Sequence, residues 1–239
     1  MNIKQAFVLA GGRGERLKPL TDSIPKPLVL VNGKPILEYT VEWLVENGIT
    51  KIVLGIWYRH EQIESYFGNG KKWDAKILYS IESEPLGTGG ALKFAEPLLD
   101  KRFFMVNGDD INRFDLKPMS ELHEKKSAWA TIAIRQVEDI SSSGAVQLDG
   151  DCISSFVEKT GEKKPGWVNA GTYLLEKKAL NELPQGFNLI EKTLFPRLAE
   201  QGRLFGFVHS GIWLRTDTFE RLRLAEENLN KKDFQHKRV

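Results

Sequence analysis

The feature that most constrains this chain is an apolar run that ends at a cluster of glycines. Residues 6–10 are uninterrupted apolar side chains, a pattern typical of a parallel strand buried on both faces. The next residues are Gly11-Gly12-Arg13-Gly14, and glycine permits positive φ and lets backbone N–H groups approach a ligand. The cations that follow the loop are Arg16, Lys18 and Lys26. A strand, a glycine loop and nearby cations together predict a polyphosphate-binding site.

Two common phosphate loops do not fit this stretch. A Walker loop requires G-x-x-x-x-G-K-[ST], and neither Lys-Ser nor Lys-Thr follows these glycines. A dinucleotide fingerprint, G-x-G-x-x-G, begins at Gly12, but Leu17 stands where the third glycine belongs. Taken alone, the loop also fits a glycine-rich turn with solvated basic residues. Other segments of the chain are therefore needed to distinguish such a turn from a phosphate-binding loop.

The stretch from Gly11 to Leu17, followed by Pro25-Lys26-Pro27, resembles the signature of the sugar-1-phosphate nucleotidylyltransferases, which make NDP-sugars. The family's usual form is G-G-x-G-T-R-L, and here Glu15 replaces the Thr. The resemblance implies that the loop and the Arg hold a triphosphate and that the Lys of P-K-P meets phosphate oxygens. The positions that inherit these roles, with the preceding strand end, are Leu9, Ala10, Gly11, Gly12, Gly14, Arg16 and Lys26.

The order of predicted elements indicates an α/β protein. The chain has 239 residues, of which 41% are hydrophobic and 28% charged, as expected of a globular protein with a real core. Strands are predicted at 6–10, 52–56, 76–80, 103–107, 129–135, 145–148, 153–159, 171–175 and 204–208. Helices are predicted at 35–48, 61–67, 89–98, 189–201 (capped by Asn188 and kinked at Pro196) and 219–230. This order predicts a Rossmann-like, mostly parallel sheet with helices on both faces and antiparallel extensions. The resemblance implies that these extensions bind the sugar.

The resemblance implies the GT-A-like fold of nucleotide-diphospho-sugar transferases. We expect a single domain over 1–239, in which residues 1–110 bind the nucleotide and 111–239 the sugar phosphate. The sequence leaves the oligomeric state open, with a homo-oligomer among the alternatives.

Charge and cysteine content narrow the class of protein. The net charge is +2, from 34 basic and 32 acidic residues, so nothing points to a nucleic-acid partner. A basic cluster at 231–238 is expected to be a solvated tail. The single cysteine, Cys152, excludes internal disulfides and fits a reducing cytosol. The first strand begins without a preceding signal peptide, and no apolar run approaches membrane-spanning length, so we expect a cytoplasmic protein with no membrane partner.

A Gly-Asp-Asp sequence follows the fourth predicted strand, at the edge where the glycine loop also lies. A carboxylate there is placed to hold Mg²⁺ against phosphates, although a capped turn would use the same residues. The family has a Gly-Asp pair at this point whose Asp binds the metal. The resemblance therefore implies that Gly108 belongs to the nucleotide site and that Asp109 binds Mg²⁺, with Asp110 facing solvent or supporting Asp109.

Residues 82–91 resemble the family's base-binding segment, with a Leu-Gly-Thr-Gly sequence that closes over the nucleobase. The positions that match are Glu82, Pro85, Gly87 and Thr88. A carboxylate only accepts hydrogen bonds, so Glu82 suits a base with two adjacent donors. Guanine offers these donors and uracil or thymine does not, which favours GTP over UTP or dTTP. The alternative is that Glu82 belongs to a solvated acidic rim.

Three segments resemble the family's sugar-phosphate site. Ser143-Gly144 matches a Tyr-Gly pair, with Ser in place of the aromatic residue, and Glu158-Lys159 matches a Glu-Lys-Pro segment, with Thr160 in place of Pro. Asn169-Ala170-Gly171 matches an Asn-Ala-Gly segment. The resemblance implies that Gly144, Glu158, Asn169 and Gly171 contact the sugar and that Lys159 contacts its phosphate. Without it, Glu158-Lys159 would be read as a surface ion pair.

The family's last motif is aromatic-x-Asp-x-Gly-Thr-x-Glu, whose Asp is a second Mg²⁺ ligand. Here residues 213–220 read Trp-Leu-Arg-Thr-Asp-Thr-Phe-Glu, so Arg215 stands at the ligand position. An arginine stays protonated and has no lone pair to offer a cation. Asp217 shares strand parity with position 215 and is an alternative ligand. Asp217-x-x-Glu220 also resembles a helix capping box, which we favour.

The reaction that the resemblance implies is NTP + sugar 1-phosphate → NDP-sugar + pyrophosphate. Because the sugar phosphate is already anionic, positioning and charge neutralisation replace a general base. We expect Arg16, Lys26 and Asp109 with Mg²⁺ to act on the triphosphate and Lys159 on the attacking phosphate. GTP with a mannose- or heptose-type sugar is favoured. The alternatives are a UTP- or dTTP-dependent transferase, or a regulatory protein that binds nucleotide sugars with weak catalysis.

Overall fold

The computed structural model describes residues 1–230, so the basic cluster at 231–238 lies outside the described residues. The strands are β1 Gln5–Leu9, β2 Leu30–Val31, β3 Lys34–Pro35, β4 Lys51–Ile56, β5 Lys76–Ile81, β6 Arg102–Asn107, β7 Asp110–Arg113, β8 Ala130–Val137, β9 Gly144–Asp149, β10 Cys152–Glu158, β11 Gly166–Glu176, β12 Leu204–Val208 and β13 Ile212–Arg215. The α-helices are α1 Ile36–Glu46, α2 His60–Phe67, α3 Gly87–Phe94, α4 Lys117–Lys125, α5 Leu194–Glu200 and α6 Phe219–Leu229.

A nine-stranded sheet forms the centre of the molecule, in the order β5-β4-β1-β6-β11-β8-β12-β10-β9. β4 and β6 flank β1 as parallel neighbours, with Val8 opposite Leu54 and Val106. β11 pairs antiparallel with β6 and β8, and β9 and β10 form an antiparallel pair at the far edge. Because every strand of this sheet except β10 and β11 runs in one direction, the sheet is mostly parallel with antiparallel extensions, as predicted.

Helices cover both faces of the sheet, which explains the uninterrupted apolar run of β1. Successive side chains of a strand point to opposite faces. Phe7 packs in one core with α3 and α5, whereas Val8 packs in the other with α1, α2 and α4. Both side chains are fully buried. A third cluster joins α6 to Leu17, just beyond the glycine loop, and thereby fixes this loop to the end of the chain that the structure describes.

Two predicted helices are shorter than expected. The predicted helix at 189–201 is α5, which begins at Leu194, and Asn188 is not its cap. Asn188, Ile190 and Glu191 instead bond to residues 86–90, which end the preceding loop and form the first turn of α3, as described below. Pro196 falls in the first turn of α5, where a missing N–H costs nothing, so it causes no kink. The predicted helix at 89–98 is α3 followed by a 3-10 turn at Glu96–Leu98, because Pro97 supplies no donor to continue it.

Five elements were not predicted from sequence: the two-residue strands β2 and β3, helix α4, and strands β7 and β13. α4 is largely polar and buries only Met119, Ser120 and His123, so few apolar residues mark it in the sequence. β7 and β13 pair with each other in a separate small sheet, with Arg215 opposite Asp110. This small sheet brings the last motif of the chain beside the Gly-Asp-Asp segment. Within residues 1–230, no helix is both long enough and apolar enough to cross a membrane.

Candidate functional site

The carboxyl ends of β1, β4 and β6 open into a cavity of about 450 Å³. Open α/β sheets bind ligands beyond this edge. The predicted nucleotide-site residues that line the cavity are Leu9, Ala10, Gly11, Gly12, Lys26, Glu82, Pro85, Gly87, Thr88 and Asp109. Lining residues that sequence reasoning missed include Arg13, Trp57, Asn107 and Leu189. Segments far apart in the chain therefore meet at one ligand-sized space.

Close packing around the glycine loop explains its composition. Gly14 has φ 69°, and a Cβ built there would lie 2.9 Å from the Cβ of Lys26, so any side chain would displace that lysine. Gly108 lies outside the cavity lining, where its N–H donates to the carbonyl of Leu9 at 2.9 Å and ties β1 to β6. For Gly12, no atom of the described residues lies within 4 Å of the corresponding Cβ position, so its backbone faces open space.

Lys26 and Asp109 form an ion pair at the cavity wall, with 2.6 Å between Nζ and Oδ2. Lys26 is 5% exposed, whereas the Asp109 side chain is 46% exposed. Residues 1–230 hold no group of three or more His, Cys, Asp or Glu side chains that could bind a metal. A half-exposed carboxylate beside a phosphate-sized cavity nevertheless fits Mg²⁺, which binds through one or two carboxylates plus substrate phosphates and water.

Asp110 does not face solvent, which corrects one of the two alternatives for this residue. Its side chain is buried and accepts a hydrogen bond from Trp213 Nε1 at 3.2 Å. Burial and the neighbouring charge of Asp109 raise the pKa of Asp110 to about 7. Asp110 therefore packs behind Asp109, against the small sheet.

Glu82 is buried at the cavity wall and is not part of a solvated rim. Its Oε2 accepts the backbone N–H of Leu86 at 3.0 Å, which fixes the carboxylate against the segment that leads into α3. Burial raises the pKa of Glu82, and the hydrogen bond from Leu86 partly opposes this shift. A buried acceptor at the wall of a pocket is suited to reading a donor on a ligand.

A second segment, residues 188–191, clamps the base-binding segment from the other side. The carbonyl of Asn188 accepts the N–H groups of Gly89 and Gly90 at 3.0 and 3.2 Å. Thr88 Oγ1 accepts the N–H of Ile190 at 3.0 Å and donates to Glu191 Oε2 at 2.6 Å. Burial raises the pKa of Glu191, against the hydrogen bond from Thr88. The sequence predicted a helix over 189–201 and gave no sign of these contacts, because their partners lie about a hundred residues away in the chain.

The predicted sugar-phosphate residues lie on β9, β10 and β11, next to each other in the sheet. Glu158 stands opposite Gly144, and a Cβ at Gly144 would lie 2.8 Å from Glu158 Oε2. Lys159 has φ 53°, a conformation uncommon for a residue with a side chain, and its N–H donates to the carbonyl of Ser143 at 3.2 Å. Such strain is held in place by surrounding structure and clusters at functional sites.

Asn169 and Gly171 border the nucleotide cavity through Asn107. Asn169 Oδ1 accepts the N–H of Gly171 at 2.9 Å, and its Nδ2 donates to Tyr173 at 2.8 Å. A Cβ at Gly171, which has φ 72°, would lie 2.8 Å from Asn107 Nδ2. Asn107 lines the cavity, and its Oδ1 is buried with no protein partner within residues 1–230. An unpaired buried acceptor between the two predicted subsites indicates a place for a ligand or water.

Asp217 is the centre of an arginine cluster, and the predicted capping box is wrong. The cap of α6 is Thr218, whose side chain accepts the N–H of Arg221. Asp217 Oδ1 lies 2.6 Å from Arg221 Nη1, and Oδ2 lies 2.6 Å from Arg16 and 3.5 Å from Arg215. Burial raises the pKa of Asp217, but these arginines outweigh it and hold the pKa below its usual value. Three guanidinium groups thus favour an ion-pair role over the metal-ligand role suggested by sequence.

This chain belongs to the nucleotidyl transferase family, whose sequence model matches residues 5–232. Its α/β architecture is the GT-A-like fold of nucleotide-diphospho-sugar transferases, as the sequence predicted.

Two of the proteins similar to this chain are mannose-1-phosphate guanylyltransferases. It is 38% identical over 218 residues to the mannose-1-phosphate guanylyltransferase catalytic subunit beta of Drosophila pseudoobscura pseudoobscura, covering 89% of this chain and 59% of that protein. It is 36% identical over 217 residues to the mannose-1-phosphate guanyltransferase of Saccharomyces cerevisiae, covering 88% and 60%. The chain thus spans about three fifths of the length of these relatives.

Solved structures agree with this grouping. HddC from Yersinia pseudotuberculosis, complexed with GMP-PN, superposes with a TM-score of 0.82 at 31% identity, over 95% of this chain and 100% of that one. A putative glucose-1-phosphate thymidylyltransferase from Bacillus anthracis, in complex with a sucrose, gives a TM-score of 0.84 at 25% identity, over 94% of each chain.

Proposed function

We propose that this protein transfers a guanylyl group from GTP to a sugar 1-phosphate of the mannose type, giving a GDP-sugar and pyrophosphate. The observation that carries the proposal is the convergence of the glycine loop, the Lys26–Asp109 pair and buried Glu82 on one cavity. The mannose-1-phosphate guanylyltransferase relatives support both the base and the sugar.

Recognition of guanine is assigned to Glu82 and the segment that follows it. One carboxylate oxygen is held by Leu86, which orients the other toward a ligand's adjacent donors. Pro85, Gly87 and Thr88 form the remaining wall of this part of the cavity. GMP-PN, the ligand in the similar HddC structure, is a guanine nucleotide and supports this assignment.

The triphosphate is assigned to the glycine loop, Arg16 and Lys26, with Asp109 holding Mg²⁺. When bound, Mg²⁺ supplies charge neutralisation on the phosphate oxygens. Lys26 is anchored by Asp109 and cannot swing into solvent, so it presents a fixed cation to the α-phosphate region. Open space at the backbone of Gly12 leaves room for phosphate oxygens against its N–H.

The sugar 1-phosphate is assigned to the second half of the domain. Glu158 and Asn169 offer acceptors for sugar hydroxyls, and Lys159 offers a cation for the attacking phosphate. That phosphate attacks the α-phosphorus, and pyrophosphate leaves from the opposite side, so the two lysines act on opposite ends of the displacement. The division of labour is about 1–110 for the nucleotide and 111–239 for the sugar phosphate. The lone cysteine and the NTP substrate support a cytoplasmic location.

A pyrophosphate-release assay tests the function. GTP, UTP, CTP and dTTP are each combined with mannose, glucose and heptose 1-phosphates in the presence of Mg²⁺. We expect turnover with GTP and a mannose-type phosphate, abolished by chelation and restored by added Mg²⁺. Turnover with UTP or dTTP alone would move the protein to the alternative nucleotide. Tight binding of GDP-mannose with no turnover for any pair would instead identify a regulatory protein.

A further inference from the structure

Arg215 lies at the end of β13, opposite Asp110, and its guanidinium is largely uncommitted. Nη1 donates to Ser143 Oγ at 3.2 Å, and Nη2 lies 3.5 Å from Asp217 Oδ2. A guanidinium carries five N–H donors in a planar fork. Within the described part of the chain, these long contacts leave most of that capacity open. The side chain is three-quarters buried, so it is held near its position rather than free in solvent.

The charge balance around Arg215 favours an anion. Asp217 is a single buried carboxylate, and Arg16, Arg215 and Arg221 all contact it. Asp217 offsets one of these three positive charges, and Asp110, which stands opposite Arg215 and interacts with its charge, offsets at most one more. The nearby carboxylate of Asp109 is already paired with Lys26. The cluster therefore carries an excess of positive charge, which a phosphate group would neutralise.

The location of Arg215 indicates which phosphate it meets. Ser143, its hydrogen-bond partner, begins the sugar-phosphate segment, and the carbonyl of Ser143 accepts the N–H of Lys159. Arg16, on the other side of Asp217, lies in the turn that directly follows the glycine loop. Arg215 thus stands between the loop assigned to the triphosphate and the segments assigned to the sugar, on the sugar side.

We propose that Arg215 binds the phosphate of the sugar 1-phosphate together with Lys159, and that Asp217 is a positioning residue that holds Arg215 and Arg16 on either side of the reacting centre. The inference rests on the proposed function and adds a phosphate ligand to it. A guanidinium fork binds two phosphate oxygens at once, which fixes the orientation of the phosphate as well as its charge. The arginine at this position therefore becomes a substrate ligand instead of a disabled metal site.

The test compares Arg215→Gln and Arg215→Lys with the matched control Arg223→Gln. Arg223 is an exposed residue of α6 that pairs with Glu227, so its substitution removes the same charge away from the site. With GTP saturating, we expect Arg215→Gln to raise the KM for mannose 1-phosphate about tenfold to a hundredfold, with the KM for GTP changed less than about threefold. Arg215→Lys keeps the positive charge but loses the planar fork of N–H donors, so we expect its KM for mannose 1-phosphate to lie between those of the wild type and Arg215→Gln.

Calorimetric titration of mannose 1-phosphate gives a readout that does not need turnover. We expect measurable binding by the wild-type protein and by Arg223→Gln, and loss of binding in Arg215→Gln with an unchanged thermal unfolding midpoint. If Arg215→Gln binds mannose 1-phosphate as tightly as the control, or if its KM effect falls on GTP, the proposal is overturned. Failure of the proposed function is distinct: it would appear as absent pyrophosphate release in the wild type while phosphate binding still depends on Arg215.

Discussion

At the scale of single residues, the surroundings of the carboxyl groups in the site shift their pKa values in opposite directions. Burial raises the pKa of Glu82, whereas arginines hold the pKa of Asp217 low. Asp109 is tied to a lysine that burial keeps in place. Family motifs predicted that Glu82, Lys26 and Asp109 belong to the site, and all three line the same cavity. Glu82 and Asp109 follow strand ends, whereas the role of Lys26 was inferred only through the Pro-Lys-Pro motif. Arg16's partner could not be predicted, because Asp217 reaches it through the packing of a separate small sheet.

Glu82→Gln should weaken the use of GTP. The glutamine amide replaces one acceptor oxygen with an NH₂ donor, which faces the N–H donors of guanine. The substitution also removes the negative charge that strengthens these hydrogen bonds. We expect the KM for GTP to rise about tenfold or more, with the KM for the sugar phosphate little changed. Glu84→Gln is the matched control, since Glu84 is an exposed neighbour. Equal effects of the two substitutions in steady-state kinetics would contradict base recognition by Glu82.

At the scale of elements, tertiary contacts determine the conformation of residues 188–193 against their local helical pattern. Their apolar spacing predicted a helix from 189, yet backbone groups of Asn188 and Ile190 bond to residues 86–90 and α5 begins only at Leu194. The central strands were predicted well, because burial on both faces leaves a continuous apolar run that does not depend on distant partners. β7 and β13 were missed, since each has only four residues, β7 is largely polar and β13 is only half-buried.

Thr88→Val should loosen this clamp without changing side-chain volume. The hydroxyl joins the N–H of Ile190 to the carboxylate of Glu191, so valine leaves a buried donor and a buried acceptor without a partner. We expect the free energy of unfolding to fall by about 2–4 kcal/mol and the KM for GTP to rise. Urea unfolding and steady-state kinetics measure both, and Thr88→Ser, which keeps the hydroxyl, serves as the control. Unchanged stability in Thr88→Val would show that the clamp contributes nothing.

At the scale of the whole molecule, two buried histidines make folding sensitive to acid. Burial lowers the pKa of His123 and of His209 to about 4. His123 contacts Thr131, and His209 stacks on Phe114 at 4.1 Å with both ring nitrogens buried and unpaired in the described structure. As pH falls below about 6.5, the unfolded chain takes up protons that the native protein refuses until pH approaches 4, so stability declines across this window.

Each of these histidines should therefore lower the free energy of unfolding by on the order of 1–2 kcal/mol between pH 7 and pH 5. Asp110, whose pKa burial raises to about 7, takes up its proton in the native protein over the same window and so adds stability as pH falls. His209→Phe keeps the ring stack and removes the titrating group, so we expect its free energy of unfolding to fall by about 1–2 kcal/mol less than that of the wild type over this window. Urea unfolding at several pH values measures how the free energy of unfolding depends on pH. At pH 8 both histidines are neutral in the folded and unfolded chains, so a difference between the variant and the wild type there reports on packing alone. A variant with the wild-type slope would show that His209 is not one of the titrating groups.

The ion pairs Lys26–Asp109 and Arg16–Asp217 have a consequence for turnover. Lys26 and Arg16 are each already paired with a carboxylate of the protein in the absence of a phosphate ligand. In the proposed reaction, an incoming triphosphate competes with these carboxylates for the lysine and the arginine, so the carboxylates reduce its net attraction to the site. After pyrophosphate forms, the carboxylates compete with it for the same two cations. We therefore expect the two carboxylates to speed the departure of pyrophosphate from a strongly cationic site.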